Sequence, residues 1–221
     1  MTQACLLEQQ LPLLSILKNG FVCFDFEWAS YPDSNGEQKF RAASFVDSNG
    51  AKKVLLIEDY ERQFGDKAEY AMLIEIVNYL SKYDYCFGWY SSGVEVYDEI
   101  KQLKKGKNSD LVMLDKRLKA NGLSSSSSVV GYAQSGIPYL MVSKHIDAIQ
   151  IYDKPMVKTT IYKNKYNSSM SLDTVAKGII GRGKYKGYSG LDFDQLPTLE
   201  EKRRYVLEDS QLVFDMLQYN D

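Results

Sequence analysis

Phe21-Val22-Cys23-Phe24-Asp25-Phe26-Glu27-Trp28 is apolar throughout except for two acids set two apart. Side chains in a strand alternate faces, so Val22, Phe24 and Phe26 point one way and Asp25 and Glu27 the other. The run reads as a strand with a carboxylate pair on one face. Two carboxylates removed from water are strongly unfavourable unless something compensates their charge. A hard divalent cation is one natural partner for such oxygens; water against an edge strand is the other.

Outward from this strand, Asn19-Gly20 closes an apolar stretch, and residues 1–19 are expected to form an N-terminal helical extension around Pro12. KFRAASFVD at 39–47, the turn Ser48-Asn49-Gly50 and KKVLLIE at 52–58 read as a hairpin-like strand pair. Tyr70, Leu73, Ile74, Val77 and Leu80 predict a helix over 66–82, followed by a short aromatic strand, DYCFGWY, at 84–90. The basic run KQLKKGKNS at 101–109 has the composition of solvated surface. A helix is expected over 109–120, capped by Asn108 or Ser109, and Ser124–Ser128 as a flexible loop. HIDAIQIY at 145–152 reads as a strand, and SLDTVAKGII at 171–180 as a helix ended by Gly181. A Gly-rich basic loop, GRGKYKGYSG, covers 181–190; Thr198 then opens the last helix with Glu201 completing a capping box. Strands and helices in this order predict one α/β domain over 1–221, a mixed β-sheet flanked by α-helices.

Composition narrows the chemistry. The net charge is −2, whereas chains that bind nucleic acid through charge alone are usually basic. If four acids ligate metal, setting those four negative charges aside turns −2 into +2. Cys5, Cys23 and Cys86 are too few and too scattered for a disulfide framework or a zinc knuckle. They suit a reducing, intracellular compartment, cytoplasmic or beside the nucleoid or nucleus. His145 is the sole histidine, which excludes His-rich metal sites, and no apolar stretch reaches the length of a membrane span.

The last helix supplies more acid. Tyr205, Asp209, Leu212 and Met216 fall at i, i+4, i+7 and i+11, on one stripe, flanked by Val206, Val213 and Leu217. Asp209 therefore shares its face with core residues, and Tyr205 lies one turn before it.

Together these segments resemble the DEDD exonucleases in their tyrosine form, and in particular the proofreading exonuclease domains of B-family DNA polymerases. FDFE at 24–27 is similar to the first motif, Asp-x-Glu on the first strand, and YVLED at 205–209 to the third, Tyr-x-x-x-Asp. HIDAIQIY and SLDTVAKGIIGRGKYKG match supporting segments, so the resemblance runs from about residue 20 to 217. The second motif departs from the family's pattern. NSDLVMLDKRLKANG at 108–122 resembles its helix, with Asp110 as the acid, but the gap from Gly88 is long, which implies an insertion at 91–108. Glu95 and Asp98 are rivals for the same role. Tyr90 stands where the family carries asparagine, and Trp28 where it usually has a smaller polar residue.

The resemblance implies a ribonuclease-H-like fold and a 3′→5′ exonuclease that releases nucleoside 5′-monophosphates from single-stranded DNA or frayed 3′ ends. It implies two divalent ions, Mg²⁺ or Mn²⁺, held by Asp25, Glu27, Asp110 and Asp209, with Tyr205 orienting the attacking water. Trp28, Trp89, Tyr90 and Tyr188 are candidate stacking platforms, and Lys184, Lys186 and Arg182 candidate phosphate contacts. His145 reads as structural. The implied partners are single-stranded DNA, or RNA with the same chemistry, and a polymerase or other replication or repair protein, whether the chain stands alone or forms part of one. No membrane partner is expected. A binding-only exonuclease-like domain is the reading from another class.

Overall fold

The structure, a computed structural model, describes residues 20–33, 36–95, 104–105, 109–123, 129–166, 169–185, 187 and 191–219. The expected N-terminal helix, the five-serine loop, Asp98, Lys186 and Tyr188 lie outside the described residues. In chain order the strands and main helices are β1 (Phe21–Trp28), β2 (Phe40–Asp47), β3 (Lys52–Leu56), α1 (Ile57–Phe64), α2 (Ala68–Leu80), β4 (Tyr85–Gly88), β5 (Val94–Glu95), β6 (Lys104–Lys105), α3 (Asp110–Ala120), β7 (Val130–Tyr132), β8 (Pro138–Leu140), β9 (Lys144–Asp147), α4 (Ala148–Tyr152), α5 (Leu172–Ile180) and α6 (Leu199–Gln218).

β1 is the centre of a five-stranded sheet in the order β3-β2-β1-β4-β9. Its pairing with β2, and that of β2 with β3, is antiparallel; β1 with β4 and β4 with β9 run parallel. The sheet is mixed and flanked by helices, as the sequence predicts. Alternation along β1 divides the interior. Val22, Phe24 and Phe26 pack with Leu73 and Ile76 of α2 and Leu111 and Leu114 of α3. Phe21 and Cys23 pack on the other face with Val175 and Ile179 of α5 and Leu212, Val213 and Met216 of α6. Asp25 and Glu27 continue that second face, so they emerge beneath α6.

Three strands are shorter than the sequence suggests, and the aromatic run at 84–90 is strand only over Tyr85–Gly88. KKVLLIE leaves the sheet at Leu56 and becomes helical at Ile57, with Glu58 and Asp59 in the first turn of α1. The predicted 66–82 helix is two pieces, a 3₁₀ turn at Gly65–Lys67 and then α2. HIDAIQIY is strand only to Asp147, after which Ala148–Tyr152 turn helical and bury Ala148, Ile149 and Tyr152. At the other helix ends the capping chemistry holds. Ser171 accepts from the Thr174 N–H, Gly181 takes the left-handed conformation, and Thr198 accepts from the Glu201 N–H. Ser109 is the cap residue of α3, but its side chain makes no cap hydrogen bond. The region of the expected insertion contributes the two-residue strands β5 and β6, paired antiparallel.

Arg117 fastens α3 to the rest. Its guanidinium donates to both Glu69 oxygens at 2.8 and 2.6 Å and to Glu37 at 2.7 Å. Glu69 also accepts from the Phe40 N–H at 2.8 Å, tying α2, α3 and β2 together. The Arg117 side chain is 7% exposed and that of Glu69 11%, so truncating the cation strands a buried anion. Arg117→Met is expected to destabilise by roughly 3–5 kcal/mol, a fall in melting temperature of about 10 °C for a domain of this size. Arg117→Met with Glu69→Leu should recover most of that loss. A thermal melt of the three proteins checks this; equal melts for the single and double variants would show that the buried charge is not the cause.

Candidate active site

The acid cluster is assembled by a polar contact inside the core. Ser44 of β2 pairs in register with Asp25. Its hydroxyl donates to the Val206 carbonyl at 2.7 Å and meets the Ser210 hydroxyl at 2.8 Å. Ser44 and Ser210 are both fully buried. This pair fixes the rotation of α6 on the sheet, and Asp209, one residue before Ser210, is brought to the carboxylate face of β1. Thr198, the cap of α6, sets where that helix begins.

The carboxylates interact strongly. Burial, and then the charges of Asp209, Asp110 and Glu27, hold the Asp25 carboxyl well above its usual range. Glu27 is pushed up to about 8, by burial first and Asp209 next. Asp110 is also held well above its ordinary value by burial, Glu27, Asp147 and Asp209. Asp209 is raised by burial, against the pull of Lys184. Tyr205 is raised to about 12, by burial and then Glu27, so its phenol keeps its proton at neutral pH. Four acids thus influence one another electrostatically, and Tyr205 feels three of them, Glu27, Asp209 and Asp25; they come from β1, the first residue of α3, and α6.

Lys184 is the cation of this group. Its Nζ pairs with Asp209 at 2.5 Å, with the lysine side chain 44% and the aspartate side chain 21% exposed. Burial works against its charge, yet Asp209, with Asp25 and Tyr205, holds the ammonium above its ordinary value. The backbone sets this lysine in place: the Lys184 N–H donates to Asp173 of α5 at 2.8 Å. A Cβ on the preceding Gly183 would lie 2.1 Å from the same Asp173 oxygen, so only glycine admits this approach. Among the described residues, no three Asp, Glu, His or Cys side chains already form a ready cage for a metal ion. The donor set itself, all carboxylate oxygen around a protein cation, has the hardness that Mg²⁺ or Mn²⁺ requires.

Beside the acids lies an open cleft of about 410 Å³ lined by Trp89, Tyr90, Ile149, Met170, Lys184 and Asp209 among others. Trp89 is half-buried against Tyr152, ring centroids 5.9 Å apart. Tyr90 takes a left-handed backbone at φ 56°, a conformation uncommon for a bulky residue. Two of the expected stacking residues therefore meet the cleft. Trp28 does not line it; the ring packs edge-on to Phe40 at 5.9 Å, beside the first core. Of the rivals to Asp110, Asp98 is outside the described residues, and Glu95 is described only as part of β5. His145 is held near 4 by burial and is therefore neutral; Ser91 Oγ lies 2.8 Å from its Nε2, which fits a structural role. The Lys184–Asp209 ion pair and the part of Asp147 at this end of the sheet are not readable from the motifs.

No protein-family model matches the chain, and no curated protein matches it. Solved structures do resemble it. The family B DNA polymerase of the hyperthermophilic archaeon Pyrobaculum calidifontis superposes with a TM-score of 0.58 at 18% identity, over 90% of this chain and 24% of that one. The Nibbler EXO domain of Aedes aegypti superposes with a TM-score of 0.51 at 12% identity, over 94% of this chain and 82% of that one. The chain thus spans about a quarter of the length of the polymerase it resembles. The sheet order, the helices packed on both faces and these likenesses together give the chain the mixed α/β fold that the matched region of that polymerase and the Nibbler EXO domain share.

Proposed function

We propose that the chain is a metal-dependent 3′→5′ exonuclease acting on single-stranded DNA or frayed 3′ ends and releasing nucleoside 5′-monophosphates. What supports this reading is the mutual electrostatic influence of Asp25, Glu27, Asp110 and Asp209, each with its carboxyl held above its ordinary value, with Asp209 lining an aromatic cleft. Such a cluster is poorly suited to stability and well suited to cations. Two divalent ions held by these four acids would acidify the attacking water and stabilise the departing 3′ oxygen. Tyr205, protonated at neutral pH, donates a hydrogen bond that orients the water toward the phosphorus. Trp89 and Tyr90 offer faces on which terminal bases stack irrespective of sequence. Lys184 supplies positive charge at the floor of the cleft, where the scissile phosphate comes close. A structural neighbour is a DNA polymerase, which favours DNA as substrate and a polymerase or repair protein as partner.

A second reading, a binding-only exonuclease-like domain, draws on the Lys184–Asp209 pair, since a protein cation already balances part of the acid charge. One assay separates the two. A 5′-labelled single-stranded DNA, and its RNA counterpart, are incubated with the protein in Mg²⁺, in Mn²⁺ and in EDTA. The expected result is a DNA ladder shortening from the 3′ end with either metal and none in EDTA. Binding without shortening in both metals would overturn the nuclease reading in favour of the second.

A further inference from the structure

Resting on the two-ion reading above, we propose that Asp147 is a positioning residue for Asp110, acting through Ser91 and Ser92 in the turn that follows β4. Asp147 is the last residue of β9 and pairs in register with Gly88, the last residue of β4. It is 4% exposed. Its Oδ2 accepts from the Ser92 N–H at 2.9 Å and from the Ser92 hydroxyl at 2.5 Å. The same strand supplies a second tie, from His145 to Ser91. Gly88 lets the loop fold this tightly, because a Cβ there would lie 2.5 Å from Ser91 and 2.9 Å from Phe24.

The clamped loop then holds α3. The Leu111 N–H donates to the Ser91 carbonyl at 3.1 Å, so the first turn of the helix hangs on residues that β9 has fixed. Asp110 is the first helical residue, and the cap residue Ser109 lends no side-chain hydrogen bond to hold it. The loop contact therefore does what a cap usually does. A buried carboxylate accepting two donors from one serine makes short, charge-assisted bonds. An uncharged asparagine keeps the shape and weakens them. By this route the end of β9, some 37 residues after Asp110 in sequence, sets where the second-motif acid stands. Partners that orient a metal ligand from behind are typically worth about 10–100-fold in metal affinity.

Asp147 also lies close enough to Asp110 for their charges to repel, so loss of its charge alone could alter ion binding. Ser92→Ala separates the two effects, because it removes the hydroxyl half of the clamp, leaving only the Ser92 N–H on Asp147, and keeps the charge. The test is calorimetric titration of the metal-free protein, wild type, Asp147→Asn, Ser92→Ala and Asp110→Asn, with Mn²⁺, alongside a thermal melt of each. Wild type is expected to bind two Mn²⁺ ions, and Asp110→Asn to lose the weaker one. Asp147→Asn and Ser92→Ala should each weaken that same ion about tenfold or more, with the tighter ion changed less than about twofold. The proposal is overturned if Ser92→Ala binds both ions as wild type does, or if both ions weaken together in step with a fall in the melt, as a purely structural role requires. Should wild type bind fewer than two ions, the two-ion reading itself fails and takes this proposal with it. An intact pair of ions with an indifferent Ser92→Ala leaves that reading standing.

Discussion

Asp25→Asn is expected to slow 3′-end shortening about a thousandfold or more while leaving the metal-free protein more stable than wild type. The activity loss follows from the central position of Asp25. It interacts with Asp209, Asp110 and Glu27 at once, so on the proposed reading its removal withdraws the carboxylate central to the acid group. A thousandfold corresponds to a barrier higher by about 4 kcal/mol, the scale seen when one preorganised electrostatic contact to a transition state is removed. The stability gain follows from the same crowding. A neutral amide of equal size relieves the repulsion that raises the neighbouring carboxyls, and sites built for catalysis commonly gain stability when their charge is cut. Asp209→Asn should lose similar activity without the same gain, because it also strands Lys184. Tyr205→Phe, which removes one hydroxyl, should cost about a hundredfold, the low end of what one positioned acid–base group contributes. Single-turnover rates on 5′-labelled DNA and melts in EDTA measure both effects. Activity of Asp25→Asn above a tenth of wild type would sink the assignment of Asp25. An activity loss accompanied by a lower melt would mean that the variant had merely lost structure.

How much of this was visible in the sequence depends on what enforced each feature. β1 was legible because its alternation is strict and its two acids fall on one face, so strand and site were read from the same eight residues. α6 was legible because Thr198 and Glu201 mark its start and the stripe through Tyr205 and Asp209 gives its phase. Elements failed where local pattern and tertiary packing disagree. Leu55-Leu56-Ile57 is a continuous apolar run, so nothing local says that the chain turns helical at Ile57; burial of that side chain against the first core decides it. HIDAIQIY alternates well enough to pass for a strand, but β4 offers partners only as far as Asp147, and past the sheet edge the next residues turn helical. The site shows the same division. Spacing within single elements nominates Asp25, Glu27, Tyr205 and Asp209, and the resemblance joins them into one site. Asp110 can be nominated but not separated from Glu95 and Asp98, because the gap after Gly88 departs from the family's pattern and no local pattern records the Leu111–Ser91 contact that meets the first turn of α3. Lys184 was read as a phosphate contact; its pairing with Asp209 depends on Asp173 and on the space at Gly183, neither of which a local pattern records.

The pH dependence of stability should run in an unusual direction, and divalent metal should reverse it. Glu27 titrates near 8 in the fold against roughly 4.3 in an unfolded chain. The folded state therefore holds the proton more tightly, and stability falls as pH rises from the unfolded value toward the folded one. Asp25 and Asp110 are shifted in the same direction. His145 opposes them lower down: held near 4 when folded, it adds stability as pH rises from about 4 to its unfolded value of about 6.5. Glu69 and Asp173, with carboxyls below their ordinary values, lose their contribution only in more acid solution. Between about pH 6.5 and 8 the acid cluster therefore acts almost alone. Glu27 and the acids coupled to it lose stability together across that interval, so the melting temperature is expected to be lower by several degrees at pH 8 than at pH 6.5. Metal ligands must shed their protons, so binding is favoured at the alkaline end. Mn²⁺ at about a hundred times its dissociation constant should restore about 2.7 kcal/mol per ion at pH 8 and less at pH 6.5. Lys184→Met, lacking the cation paired with Asp209, should steepen the metal-free decline, and Asp25→Asn should flatten it. Melts of the three proteins at both pH values, with EDTA and with Mn²⁺, decide the matter. A metal-free melt that holds level or climbs from pH 6.5 to 8 would mean that these carboxyls are not crowded as described, and the charge argument for a cation site would lose its basis.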